Sequence, residues 1–329
     1  MKHDFAVLGS GSWGAALAIA QASAGRSVLL WARRPERAAK ITQYRHMAPY
    51  LPQEISLPDN ITVTSNLADC RDVRTTLAVT PAQALRETLT ALGSANRIVL
   101  CCKGVERGTG ALMPEVAHAA LPNAQVFMLS GPNFAGEVAR GLPAAATVAG
   151  PNLEAAATLS NDLATPALRL YPSGDMTGAA LGGALKNVIA IAAGAVEGAG
   201  LGENARAAVA TRGLAEIARI AVAMGAERDT LMGLAGIGDL MLTCSGLQSR
   251  NYSLGVSLGK GRALADILGE RQMVVEGVAT ASAAYALAER LGVEAPITAA
   301  VDDVTAGRID IKSAVERLMS RPPVQDERA

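Results

Sequence analysis

The chain has 329 residues, more than a single hydrophobic core usually supports, so two domains are expected. Half of the residues are apolar and only 3% are aromatic, which points to a large core packed closely through Ala and Gly; 30 basic residues balance 30 acidic ones. With no global field to hold nucleic acid or an anionic membrane, those partners are excluded and any anionic ligand must be caught by local groups.

Four cysteines, Cys70, Cys101, Cys102 and Cys244, include one adjacent pair and no C-x-x-C. Reduced thiols are therefore expected, with neither a zinc site nor a disulfide framework and no metal. After Asp4 the chain enters an apolar strand without the basic region, long apolar run and cleavage site of a signal peptide, which reads as cytoplasmic. Leu181 to Val196 is the most apolar later stretch, but Lys186 and Asn187 interrupt it and it is short for a membrane span.

In chain order, strands are expected at Phe5 to Leu8, Val28 to Trp31, Ile61 to Thr64, Thr76 to Val79, Ile98 to Cys101, Val126 to Leu129, Ala145 to Ala149 and Leu168 to Leu170. Helical patterns lie between many of them, for example Trp13 to Ala24 and Ala82 to Leu92, while the three prolines of Pro49 to Pro58 mark a loop. This alternation predicts a parallel sheet covered by helices. After Pro172 the strand signal stops, and Ala-rich helices separated by Gly continue from Met176 to Arg321. The fold expected is an α/β N-terminal domain, residues 1–175, followed by an all-α C-terminal domain, residues 176–329.

Gly9-Ser10-Gly11-Ser12-Trp13-Gly14 follows the first strand directly and opens a helical run. In a G-x-G-x-x-G of this placing, Gly9 permits the tight turn, Gly11 lets the backbone approach a pyrophosphate, and Gly14 lets helix and strand pack closely. The helix N-terminus then faces the diphosphate with its amides and dipole. At the end of the second strand, where an NAD site usually places a carboxylate for the ribose hydroxyls, stand Ala32, Arg33 and Arg34. Either these guanidiniums grip the 2′-phosphate of NADP, which favours NADPH over NADH, or they are solvated surface charge.

Only six basic residues are lysines, and Lys186 lies in a helix nearly bare of other charge, where Leu181, Leu185, Val188, Ala192 and Val196 form an apolar stripe. A buried amine there would have a depressed pKa and could exchange protons, as Arg could not; the alternative is a lysine that snorkels to the surface. Downstream, Asp239 is either a helix cap or a buried carboxylate awaiting a cation. Ser249-Arg250-Asn251 offers several donors suited to a phosphate, or is a plain turn.

Together these segments resemble the NAD(P)-dependent glycerol-3-phosphate dehydrogenase family, bacterial type, through almost the whole chain. The resemblance is carried by GSGSWGAALA at Gly9 to Ala18, CKGVE at Cys102 to Glu106, SGPNFAGEVA at Ser130 to Ala139 and LGGALKNVIAIAAG at Leu181 to Gly194. GENARAA at Gly202 to Ala208, GLAGIGDLMLTC at Gly233 to Cys244, SRN at Ser249 to Asn251 and VVEGV at Val274 to Val278 complete it. It implies an α/β Rossmann-like N-terminal domain, residues 1–175, that binds a dinucleotide, and an all-α C-terminal domain, residues 176–329, for substrate binding and catalysis. It also implies reduction of dihydroxyacetone phosphate to sn-glycerol 3-phosphate, with NADPH or NADH as cofactor and a phosphorylated triose as partner. Lys103 and Lys186 match the active-site lysines, with Asp239 and Asn187 to orient Lys186. Gly131, Asn133, Asp239, Ser249, Arg250 and Asn251 match substrate positions. Ser12, Trp13, Arg33, Ala135, Arg250, Val274 and Glu276 match dinucleotide positions, to which the motif glycines, Arg34 and Lys103 are added. Ser10 replaces a common Ala, Asn133 a common Ser, and Ser245-Gly246 the usual Thr-Ser.

Two other readings are available. A β-hydroxyacid dehydrogenase would resemble G-x-x-x-K-x-x-x-N, whereas here Asn187 follows Lys186 directly and position 190 is Ala. A non-catalytic NAD(P)H sensor would need no proton donor, and four charged groups, Lys103, Lys186, Asp239 and Arg250, count against it. The helical domain allows a homodimer without proving one.

Overall fold

The computed structural model describes residues 3–270 and 275–322. The described chain divides into two compact units, one formed by residues up to Cys102 together with Met113–Met176, the other by Lys103–Leu112 and residues from Thr177 onward.

In the first unit, the described strands form an eight-stranded sheet ordered β3-β2-β1-β4-β5-β6-β7-β8. They are β1 Phe5–Leu8, β2 Val28–Trp31, β3 Ile61–Thr64, β4 Thr75–Ala78, β5 Arg97–Leu100, β6 Gln125–Ser130, β7 Ala144–Ala149 and β8 Leu168–Ser173. β1, β2 and β4 are buried along their whole length, as strands covered on both faces must be. Phe5, Val7, Leu30, Leu77, Val99 and Phe127 belong to one core cluster with Ala15, Leu17 and Ala18 of the helix Ser12–Ser23.

Two features depart from the expected parallel pattern. β6 and β7 pair antiparallel, with Leu129 opposite Val148. The helix between them, Ala135–Ala139, has five residues. At 1.5 Å per residue it spans roughly 8 Å, too little to carry the chain back along a strand and into parallel register. β8 also runs on through Pro172 to Ser173. A proline lacks the ladder donor, but β8 lies at the sheet edge, where that donor is not required.

The second unit is built around the helix Met176–Gly198. This is the one described helix long and apolar enough to cross a membrane, and 94% of its most apolar window is buried inside the protein. Its Leu181, Leu185 and Ile189 pack with Ile217, Ile220 and Leu231, while Val188 and Ile191 pack with Leu254, Leu258 and Val301. The helix Arg250–Gly259 lies so close that a Cβ on Gly194 would fall 2.1 Å from the Tyr252 carbonyl oxygen, and one on Gly255 2.1 Å from that of Ile191. Backbone cannot yield as a flexible side chain can. Gly194→Ala is therefore expected to cost about 1–3 kcal/mol, the range for overpacking, read as a lower urea midpoint at unchanged slope.

Glu216 fastens the far side of this unit. Its buried carboxylate accepts from Ile297 N at 2.6 Å, Thr298 N at 3.0 Å and Thr298 Oγ1 at 3.0 Å, satisfying amides at the start of the helix Pro296–Thr305. Burial raises its pKa against those hydrogen bonds.

Candidate functional site

In the first unit the glycine motif forms the turn between β1 and the helix Ser12–Ser23. Gly9 has φ +123°, a conformation that L side chains rarely adopt, and a Cβ there would lie 2.8 Å from the Val79 carbonyl oxygen. Gly14 is tighter still, since its Cβ would fall 1.9 Å from the Gly9 oxygen. At Gly11, by contrast, a Cβ would meet nothing within 4 Å, so the turn leaves open space beside its backbone.

Those features fit a bound dinucleotide: two glycines hold the turn in shape and the third leaves room for a phosphate. Two buried hydroxyls near the carboxyl ends of the strands on either side of β5, Thr80 Oγ1 after β4 and Ser130 Oγ at the end of β6, have no hydrogen-bond partner among the described residues. Open sheets of this kind bind ligands beyond the carboxyl ends of their strands. Sequence reasoning assigned neither hydroxyl, because a single Thr or Ser inside an apolar run carries no local signal.

Arg33 and Arg34 follow β2 and are exposed, and Ala32 is buried. Arg37, three residues on, turns back to the motif: its Nε donates to Ser10 Oγ at 3.0 Å and its Nη2 to Ser10 O at 2.8 Å. Trp13 is half-buried against the core, Ala135 opens the helix Ala135–Ala139, and Gly131 sits where a Cβ would come 2.8 Å from Ala146 Cα. Asn133 Nδ2 donates to Ala145 O at 3.0 Å, while its buried Oδ1 has no hydrogen-bond partner among the described residues.

In the second unit four side chains converge. Lys186, from the middle of Met176–Gly198, donates from Nζ to Asp239 Oδ1 and, at 2.9 Å, to Thr243 Oγ1. Lys103 donates to the other carboxylate oxygen, Asp239 Oδ2. Asp239 is 1% exposed, which resolves its two sequence readings in favour of a buried carboxylate that has found cations. It opens the helix Asp239–Thr243, so Thr243 lies one turn on, its hydroxyl donating to Asp239 O at 2.6 Å while accepting from Lys186. Lys103 reaches the group because Val105 and Leu112, bridged across a short loop, are buried in the core of the helical unit.

Lys186 is likewise buried rather than snorkelling. Burial pushes its pKa down to about 8, Asp239 opposes that shift, and the like charge of Lys103 adds to it. Cys244 beside it is a buried thiol, pushed up to about 12 by burial. All four cysteines are buried thiols outside any disulfide, and no cluster of three or more metal-ligating side chains occurs among the described residues.

Asn187 does not point its hydrogen bond at Lys186: its Oδ1 accepts from Asn251 Nδ2 at 2.9 Å. Asn251 Oδ1 in turn accepts from Gly277 N at 3.0 Å, tying three helices together. Ser249 caps the helix Arg250–Gly259, its Oγ accepting from Tyr252 N at 3.2 Å, and Arg250 is the first residue of that helix, exposed. Glu276 opens the helix Glu276–Leu291, half-buried, whereas Val274 lies outside the described residues. Thr243 is the member of the lysine cluster that the sequence did not single out. Its spacing of four from Asp239 was the available signal.

Comparison with known proteins identifies the family. The family described as NAD-dependent glycerol-3-phosphate dehydrogenase matches through its N-terminal part at residues 4–156 and its C-terminal part at residues 175–316. A glycerol-3-phosphate dehydrogenase [NAD(P)+] of Rhodospirillum rubrum is 52% identical over 323 residues, covering 96% of this chain and 92% of the relative. One from Caulobacter vibrioides is 49% identical over 320 residues, covering 96% of each. The crystal structure of glycerol-3-phosphate dehydrogenase from Coxiella burnetii superposes with a TM-score of 0.92 at 35% identity, covering 97% of this chain and 99% of that one. With its glycine turn, its paired lysines on Asp239 and full-length likeness to these relatives, the chain belongs to the NAD-dependent glycerol-3-phosphate dehydrogenase family.

Proposed function

We propose that this protein reduces dihydroxyacetone phosphate to sn-glycerol 3-phosphate with NADPH or NADH, reversibly, and so supplies the glycerol phosphate backbone of phospholipids. The observation that carries the reading is the buried Lys186 amine, bonded to Asp239 and Thr243, in a chain of this family. Residues 1–175 bind the dinucleotide and residues 176–329 the substrate, with Lys103 serving the second group from its loop. The enzyme works in the cytoplasm.

A bound nicotinamide dinucleotide supplies the hydride. The protein's task is the proton and the position. Lys186 Nζ gives a proton to the ketone oxygen in reduction and takes it back in oxidation. Asp239 makes this exchange tolerable: with Lys186 protonated it carries two cations, and after proton transfer Lys103 still balances its charge. Lys103 also stabilises charge developing on the oxygen, and Arg250 holds the substrate phosphate. Arg33 and Arg34, with no carboxylate beside them, favour the 2′-phosphate of NADPH.

Initial rates with dihydroxyacetone phosphate, using NADH and NADPH in parallel, test the reading directly. Oxidation of neither by pure folded protein would end it. Arg250→Ala should raise KM for dihydroxyacetone phosphate by about 10- to 150-fold, the equivalent of one charge-assisted hydrogen bond, and affect a non-phosphorylated ketone much less. Equal losses on both ketones would remove the phosphate from the role of Arg250.

A further inference from the structure

Arg37 makes two hydrogen bonds to one residue of the glycine-rich turn, Nε to Ser10 Oγ at 3.0 Å and Nη2 to Ser10 O at 2.8 Å, and its guanidinium lies over the Tyr50 ring at 4.3 Å from the centroid. Ser10 is 9% exposed and Arg37 half-buried, so both bonds are partly shielded from bulk water and count for more than exposed ones would. A planar fork on a flat ring is rigid in a way that a lysine ammonium is not.

We propose that Arg37 is a positioning residue for the dinucleotide: by gripping the Ser10 carbonyl it sets the plane of the Ser10–Gly11 peptide and aims the Gly11 N–H for a phosphate. The physical link is the peptide bond itself. It is planar and trans, so its C=O and N–H point in opposite directions, and a carbonyl held on Arg37 turns the next amide away from Arg37. Gly11 is the motif residue beside open space, and without a Cβ it cannot fix its own backbone by side-chain packing. At Gly9 and Gly14 a Cβ would strike backbone, that of Val79 and of Gly9 respectively, whereas nothing crowds Gly11, which leaves the middle of the turn to be fixed from outside. Arg37 supplies that restraint from the helix Pro35–Tyr44. Its role differs from that proposed for Arg33 and Arg34, because an aimed backbone amide serves a phosphate common to NADH and NADPH, whereas a charge at the ribose edge serves NADPH alone.

The inference rests on the turn being the dinucleotide site, and binding measurements separate the two. Dissociation constants for NADH and NADPH are read from nucleotide fluorescence or calorimetry, without substrate. Arg37→Leu should weaken both nucleotides by about tenfold, the scale of one charge-assisted hydrogen bond, with their ratio little changed. Arg37→Lys keeps the charge but loses the fork and should lose most of the same affinity. Ser10→Ala, which removes one bond of the two, should fall between wild type and Arg37→Leu. Arg33→Ala with Arg34→Ala should instead change the ratio. If Arg37→Leu does not fold, Arg37→Lys and Ser10→Ala carry the same comparison. Unchanged constants for both nucleotides in the folded variants would overturn the proposal, as would a loss confined to NADPH, which would make Arg37 a direct partner of the 2′-phosphate. A wild-type protein that binds neither nucleotide would sink the dinucleotide reading itself.

Discussion

Lys186→Met is expected to lower turnover by about 10²–10⁴-fold, the usual share of positioned acid–base catalysis, while dinucleotide binding stays near the wild-type value. Methionine keeps the length and apolar stem of lysine, so the helix Met176–Gly198 keeps its packing and loses the proton carrier with its bonds to Asp239 and Thr243, while Lys103 still pairs with Asp239. Single-turnover measurement with saturating dinucleotide reads the chemical step directly. A folded variant with undiminished turnover would remove Lys186 from the role of acid. The wild-type pH profile makes a second check. With the Lys186 pKa near 8, reduction needs the protonated amine and should decline above about pH 8, whereas oxidation needs the neutral amine and should rise toward that pH. Lys186→Met should lose both limbs.

Stability carries the same signature with a definite sign. The folded pKa of Lys186, about 8, lies below the ordinary 10.5, so between those values the unfolded chain binds the extra proton. Unfolding free energy therefore rises with pH across that window, and the penalty for burying the ammonium is fully present below it. Relative to Lys186→Met, wild type should gain stability as pH rises from about 8 toward 10.5. Parallel urea midpoints for the two proteins, flat against each other across this range, would show that Lys186 does not titrate there.

Asp239→Ala should cost roughly 3–5 kcal/mol of stability at neutral pH, the penalty for leaving a buried charge without its partner. Asp239 is the carboxylate to which both Lys103 and Lys186 donate, and removing it leaves two ammonium groups facing each other beside a buried threonine. Lys186 finds relief through loss of a proton, so the deficit should shrink as pH rises and Lys186 becomes neutral. Turnover should fall as well, because the acid loses its orientation. Adding Lys186→Met to Asp239→Ala should restore much of the lost stability, since one uncompensated cation is then gone, without restoring activity. If Asp239→Ala unfolds at the wild-type urea midpoint, the carboxylate is not the counter-charge on which the lysines depend.

Much of this was legible locally. All eight strands show in the sequence as short aliphatic or β-branched runs, and the turn from Gly9 to Gly14 shows because its shape excludes side chains at Gly9 and Gly14. Lys186 stood out as a lone amine on an apolar helix, and the change in composition near Tyr171 to Asp175 marked the passage from strands to helices. What it could not decide was which neighbours those elements would meet. Lys186 could have snorkelled and Asp239 could have capped a helix until folding joined them across 53 residues and brought Lys103 to the same carboxylate across 136. Thr243, the grip of Arg37 on Ser10, the antiparallel step at β7 and the tolerance of Pro172 in β8 were likewise settled by packing and sheet position. Periodicity and glycine spacing report what a segment excludes from its own surroundings, whereas charge pairing and edge position depend on residues far away in the chain, and only the tertiary structure brings those together.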